Sequence, residues 1–282
     1  MSSATGLEIQ TTDGVRLSGE QAGEGIPVVL AHGLTATRRY VVMGSRALER
    51  SGHRVVAYDA RGHGNSTGAP DRKAYGYERL GEDLENLLDT LELRRAVFAG
   101  ASMGAHTLLR LALRRPERVA ALVLITPAYD PGAHARAQDE RAYAGWDALA
   151  RGLREHGVKG FLEAYDFSSV PDRWSETVQT VIDQRLSAHE HPAAVADALE
   201  VVPRSRPFES FEQLSQITVP TIVVGSRDEA DPGHPLALAE TYARLIPGAK
   251  LLLEEAGRSP IAWQGAQLST LIADLADSIH MG

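Results

Sequence analysis

The sequence predicts an α/β protein with a mostly parallel, doubly wound sheet and an inserted helical cap. Three observations predict it. Short apolar runs alternate with segments at helical spacing, the rhythm of parallel strands joined by right-handed crossovers. The apolar runs carry no polar alternation, as expected of strands covered on both faces. The rhythm breaks once, over 131–206, where Arg, Glu, Asp and Ala dominate and no buried strand run occurs. A core over 1–130 and 207–282, with the cap between them, follows.

In chain order, Leu7 to Thr12 and Val15 to Gln21 are strand-like runs joined at Asp13-Gly14, a hairpin turn signal. Ile26 to Ala31 is a buried strand. Thr37 to Arg50 reads as a helix stopped by Gly52. Arg54 to Tyr58 is the next strand, and Leu80, Leu84, Leu87, Leu88 and Leu91 give a helix over 78–91. Ala96 to Gly100 is a short strand, Met103 to Arg114 a helix closed by Pro116, and Val119 to Ile125 a strand. In the cap, Pro171, Pro192, Pro203 and Pro207 punctuate helical patches. After it come a strand at Thr221 to Gly225, a helix at Pro235 to Leu245, a strand at Lys250 to Leu253 and a last helix at Ile261 to Ile279.

The chain has 282 residues, a net charge of -8 and 43% hydrophobic content, enough to bury a full core. No basic stretch is long enough to track a phosphate backbone, so no nucleic-acid partner is expected. There is no cysteine, which excludes disulfides, thiolate metal sites and a cysteine nucleophile. No signal peptide is visible, and no apolar stretch approaches the ~20 residues that span a bilayer. The expectation is a cytoplasmic protein with a small-molecule substrate, no membrane partner, and no cofactor or metal.

Gly100-Ala101-Ser102-Met103-Gly104 matches G-x-S-x-G between a strand and a helix. A turn this sharp holds the central serine out at the carboxyl edge of the sheet, and the helix N-terminus behind it favours developing negative charge. Ser102 is expected to point into the largest pocket, between sheet edge and cap.

With this elbow the sequence resembles the α/β-hydrolase superfamily, and the resemblance covers nearly the whole chain. His32-Gly33 matches the family's oxyanion-side motif. Asp59-Ala60-Arg61-Gly62-His63-Gly64-Asn65-Ser66 matches its D-x-R-G-x-G-x-S loop. Val219 to Asp228 matches the strand ending in G-x-x-D. The resemblance implies Ser102 as nucleophile, Asp228 as acid, and the N–H groups of Leu34 and Met103 as oxyanion donors.

The departure falls at the last motif. Where the family places its histidine, this chain has Glu254-Glu255-Ala256-Gly257-Arg258, and no histidine occurs between His234 and His280. Arginine, with a pKa above about 12, has no lone pair to act as base. His234 is the candidate surrogate base, with Asp231 three residues before it to hold its ring in the useful tautomer. Arg258, His32 and Trp263 are candidate substrate-binding residues, although His32 equally reads as a hydrogen-bonded core residue and Trp263 as packing for the last helix. Arg258 reads either as an ion-pair partner of Asp228 or as a fixed cation for a substrate carboxylate or an enolate. Three functions stay open: hydrolysis of an ester, thioester or lactone through Ser102 with a non-standard base; an isomerase, cyclase or lyase using the same pocket; or a ligand-binding pseudo-enzyme.

Overall fold

Eight strands form one sheet in the computed structural model, which describes residues 4–136, 143–255 and 263–279. They are β1 (Thr5–Gln10), β2 (Arg16–Ala22), β3 (Ile26–Ala31), β4 (His53–Tyr58), β5 (Ala96–Ala101), β6 (Val119–Ile125), β7 (Thr221–Val224) and β8 (Lys250–Leu252). Their spatial order is β1-β2-β4-β3-β5-β6-β7-β8. The β1–β2 and β2–β4 pairs are antiparallel and the others parallel. Val28, Val29, Val97, Phe98 and Val119 to Leu124 are buried, as their unbroken apolar runs require.

Register places the site. Ala31 pairs with Gly100, Ala101 with Ile125, and Ile125 with Val224. The loops that leave β3, β5, β6 and β7 therefore begin at one level along the carboxyl edge, where open parallel sheets bind ligands.

Helices cover both faces. On one face α2 (Tyr77–Thr90), α3 (Met103–Arg114) and α8 (Leu236–Leu245) bury Leu84, Leu87, Leu88, Leu108, Leu109 and Tyr242 against the sheet. On the other, α1 (Ala47–Arg50) and α9 (Gly265–Asp277) bury Leu48, Leu268, Ile272 and Ala276. The helix predicted over 37–50 is corrected. Only a 3-10 turn at Arg38–Tyr40 and the four-residue α1 form there, because Met43 (φ 47°) and Gly44 (φ 71°) are left-handed and break the spiral. Gly265 docks on that break, where a Cβ would stand 2.0 Å from the Val42 carbonyl oxygen. Of the predicted last helix, Ile261 and Ala262 lie outside the described residues.

Between β6 and β7 the chain forms α4 (Pro131–Arg136), α5 (Ala144–Ala164), α6 (Asp172–Leu186) and α7 (Pro192–Val201). Ala150, Leu153, Phe161, Leu186, Val195 and Leu199 make a small core of their own. A second apolar cluster joins Ala194, Ala198 and Val202 to Tyr75, Tyr77, Leu80 and Met103, seating α7 beside the elbow.

Candidate active site

Ser102 sits between β5 and α3 with φ 49° and ψ -112°, a conformation that L-residues rarely adopt. Its neighbours make this possible. A Cβ on Gly104 would lie 2.0 Å from the Ala31 carbonyl oxygen, and one on Gly100 would lie 2.7 Å from the Gly104 carbonyl carbon. Glycine alone lets α3 approach β3 this closely. The Ser102 N–H donates to the Ile125 oxygen at 3.0 Å, which anchors the turn to β6. Ser102 itself is partly exposed.

His234 reaches it from the loop after β7. Its Nε2 is 2.8 Å from Ser102 Oγ, and its Nδ1 is 2.8 Å from each carboxylate oxygen of Asp231. Two successive turns bring it there, with Asp231 N–H donating to the Asp228 oxygen (3.1 Å) and His234 N–H to the Asp231 oxygen (3.2 Å). Burial acts to raise the Asp231 carboxyl. Attraction to His234, their hydrogen bond and the nearby Arg185 guanidinium outweigh it and hold Asp231 below its ordinary value. With Asp231 accepting from Nδ1–H, Nε2 is left with a lone pair facing the serine hydroxyl. The three groups can pass a proton from Ser102 to His234.

The acid expected from the motif, Asp228, is not the carboxylate that meets the His234 ring. Asp228 Oδ1 accepts from the Ala230 N–H at 3.0 Å and helps to shape the turn; the carboxylate bonded to the imidazole is that of Asp231.

The loop after β3 packs on the serine, since a Cβ on Gly33 would lie 3.7 Å from Ser102 Cβ. Met103 N–H opens α3 with no preceding turn to bond, and Leu34 N–H meets no internal acceptor among the described residues. Beneath this loop lie three neighbouring histidines, with ring centroids 5.1 Å apart for His32 and His63, which are tilted, and 5.5 Å for His63 and His189, which meet edge to face. Burial, then the neighbouring His63, pushes both His32 and His189 down to about 3, so both rings are neutral. His32 Nδ1–H donates to the Gly33 oxygen (2.8 Å) and its Nε2 accepts from Ala60 N–H (2.9 Å). The substrate-binding assignment of His32 is thereby corrected, because both ring nitrogens are spent on backbone and the side chain is buried.

His106, one turn after Ser102, accepts from the N–H groups of Ala128 and Tyr129 through Nε2 and is a structural tie. Trp263 donates its indole N–H to the Gly225 oxygen at 2.9 Å and packs against the α9 face of the sheet, where it closes the end of β7. Arg258 lies outside the described residues. A cavity of about 630 Å³ is lined by Arg72, Lys73, Asp147, Glu200, Arg204 and Ser205, and Ser102 is not part of its wall.

The D-x-R-G-x-G-x-S loop is scaffolding. Arg61, almost wholly buried, makes a bidentate pair with Asp83 (2.7 and 2.6 Å) and also bonds Asp13 and the Ala74 oxygen, so it ties the β1–β2 turn to α2. Asp59 pairs with Arg38 and accepts from the N–H groups of Arg38 and Asn65. Two residues near the site had no motif to announce them. His189 lies between α6 and α7. Arg185 on α6 stacks over the Tyr40 ring at 5.5 Å, with its Nε buried and without a hydrogen-bond partner among the described residues.

Comparison with known proteins agrees with this fold. A family model described as alpha/beta hydrolase fold matches residues 26–165. A Variovorax paradoxus (strain S110) protein bearing the name carbamate hydrolase RutD is 32% identical over 73% of this chain and 75% of its own. A Rhizobium rhizogenes (strain K84 / ATCC BAA-868) protein with the same name is 30% identical over 82% of this chain and 84% of its own. Among solved structures, a malate-bound thermophilic esterase from Thermogutta terrifontis superposes with a TM-score of 0.79 at 26% identity, covering 98% of this chain and 100% of that one.

Proposed function

The chain belongs to the α/β-hydrolase family, and from that premise we propose that it is a serine hydrolase using Ser102, His234 and Asp231 to cleave an ester, thioester or lactone of a small molecule. The observation that carries the reading is the unbroken hydrogen-bonded chain from Ser102 Oγ through both nitrogens of His234 to Asp231. The relatives' names, a carbamate hydrolase and an esterase, add carbamates to the acyl classes worth testing.

In this reading His234 Nε2 takes the Ser102 proton as Oγ attacks the substrate carbonyl carbon. Asp231 stabilises the imidazolium and keeps its orientation. The N–H groups of Leu34 and Met103 receive the oxyanion, and such preorganised donors are worth about 3–4 kcal/mol each in related sites. As the tetrahedral adduct collapses, His234 returns the proton to the leaving group. Water, deprotonated by the same nitrogen, then releases the acyl group from Ser102. The base is a histidine, but it is supplied by the loop after β7 and not by the segment after β8, where Arg258 stands. Its partner is a small-molecule substrate, with no role for nucleic acid or membrane.

A panel of p-nitrophenyl esters, phenyl carbamates and γ-lactones tests the reading. Turnover on at least one class, lost in Ser102→Ala and in His234→Ala, is the expected result. Full activity in Ser102→Ala would refute it.

A further inference from the structure

Three consecutive carbonyls in the loop after β3 are each met by a different histidine. His32 Nδ1 lies 2.8 Å from the Gly33 oxygen, His63 Nε2 2.6 Å from the Leu34 oxygen, and His189 Nε2 3.3 Å from the Thr35 oxygen. His189 differs from the other two in origin, since it comes from the segment between α6 and α7. Its tautomer is fixed: Nδ1 accepts from Gly64 N–H at 2.8 Å, so the proton is on Nε2 and is donated to Thr35.

A trans peptide points its C=O and N–H in opposite directions, so fixing one fixes the other. The Thr35 carbonyl shares its plane with the Ala36 N–H, which donates to the Gly33 oxygen at 3.0 Å. The Gly33 carbonyl in turn shares its plane with the Leu34 N–H. A continuous path therefore runs from the His189 N–H, through two hydrogen-bonded peptide units, to the Leu34 N–H in the loop that packs on Ser102. Each link also polarises the next.

We propose that His189 is a positioning residue for the Leu34 N–H, through which the seating of the helical segment sets the oxyanion donor. This rests on the reading of Ser102 as nucleophile and Leu34 N–H as oxyanion donor. His189 makes a second kind of contact that a purely structural role would use. Its Nδ1 and the neighbouring Glu190 N–H (2.9 Å to the Gly64 oxygen) dock the segment on Gly64. The two contacts separate by substitution. The amide of glutamine reaches about as far as Nε2 and retains the bond to Thr35, whereas that of asparagine reaches about as far as Nδ1 and retains the bond to Gly64.

The experiment compares His189→Gln, His189→Asn and His189→Ala on p-nitrophenyl acetate. It also follows the Leu34 amide by NMR in protein labelled with carbonyl-13C glycine and 15N leucine. Gly–Leu steps occur at Gly6–Leu7, Gly33–Leu34 and Gly152–Leu153, so few signals appear, and the one lost in Leu34→Met is assigned. The Gln variant should keep kcat and the Leu34 amide position near those of the parent. The Asn and Ala variants should move the amide and lower kcat by roughly tenfold to a hundredfold at little-changed KM, the cost of a displaced donor. Retention by Asn with loss by Gln, equal loss in both, an unmoved amide in the Asn and Ala variants, or a change confined to KM would each overturn the proposal. If the Ala variant does not fold, the contrast between Asn and Gln decides alone. If neither parent nor variant turns over any ester, the serine-hydrolase reading fails, and the Leu34 amide still decides whether His189 sets that N–H.

Discussion

His234 Nε2 stands 2.8 Å from Ser102 Oγ although 132 positions of sequence separate the two residues. That contact exists because the loop after β7 makes two tight turns, and the same turns put Asp231 against the ring. The choice between Asp231 and Asp228 as the acid is open to direct test. Asp231→Asn should reduce kcat by about 10³–10⁴-fold, since an amide in place of the carboxylate favours the wrong tautomer. Asp228→Asn keeps an oxygen for the Ala230 N–H and leaves the Asp231 carboxylate on the imidazole, so its kcat should fall far less than that of Asp231→Asn. Steady-state kinetics of both variants on one ester check this, and the reverse ranking would restore Asp228.

Ser102 and His234 should behave as one unit. Each alanine variant should lose nearly all turnover, and the double variant should lose no more than either alone. Additive losses would mean that the two act in separate steps.

Arg258→His should bring no gain on activated esters. A histidine there has an attraction from sequence alone, because the family's base is missing from that position. With a base already hydrogen-bonded to Ser102, a second has nothing to abstract. A tenfold or greater rise in p-nitrophenyl acetate turnover, on the scale general-base catalysis supplies, would show that His234 is not serving that role.

Acid should destabilise the fold steeply. Burial pushes His32, His106 and His189 down to about 3, while the unfolded chain titrates them near 6.5. Below 6.5 the unfolded state binds more protons, so the stabilisation is fully present above about pH 7 and is lost as pH falls toward 3. Between pH 7.5 and 5.5 each histidine should cost roughly 1.4 kcal/mol, about 4 kcal/mol for the three. Urea unfolding at the two pH values measures it. Equal stability would mean that these rings are charged in the folded protein.

Gly104→Ala tests the elbow's packing. Its Cβ would sit 2.0 Å from a backbone oxygen of β3, which cannot move without parting helix from sheet. A loss at the upper end of the ~1–3 kcal/mol typical of overpacking, or beyond it, is expected in thermal unfolding. A variant as stable as the parent would place α3 farther from β3.

The sheet was largely legible in the sequence because strands covered on both faces leave unbroken apolar runs; Ile26–Ala31 and Val119–Ile125 form where their patterns place them. The serine was legible for a similar reason, since a turn that admits glycine at two flanking positions leaves a readable mark. The 37–50 segment was not. Its apolar spacing suits a helix, but Met43 is left-handed there, and the residue packed on the break, Gly265, is remote in sequence. Which carboxylate faces the imidazole was not legible, because Asp228 and Asp231 sit in one acidic loop and the direction of a turn decides it. His189 could not be read at all, since its partners, Gly64 and Thr35, lie 125 and 154 positions away.

Asp231 and His234 are three positions apart on one turn. Two addresses in the chain, not three, must therefore meet for the relay to exist, and one long loop closure suffices where a dispersed triad needs two. The pair is held within a single turn. A swing of this turn would lengthen the distance to Ser102 while leaving the bond between ring and carboxylate intact, so the serine would fall silent with its imidazole still correctly oriented.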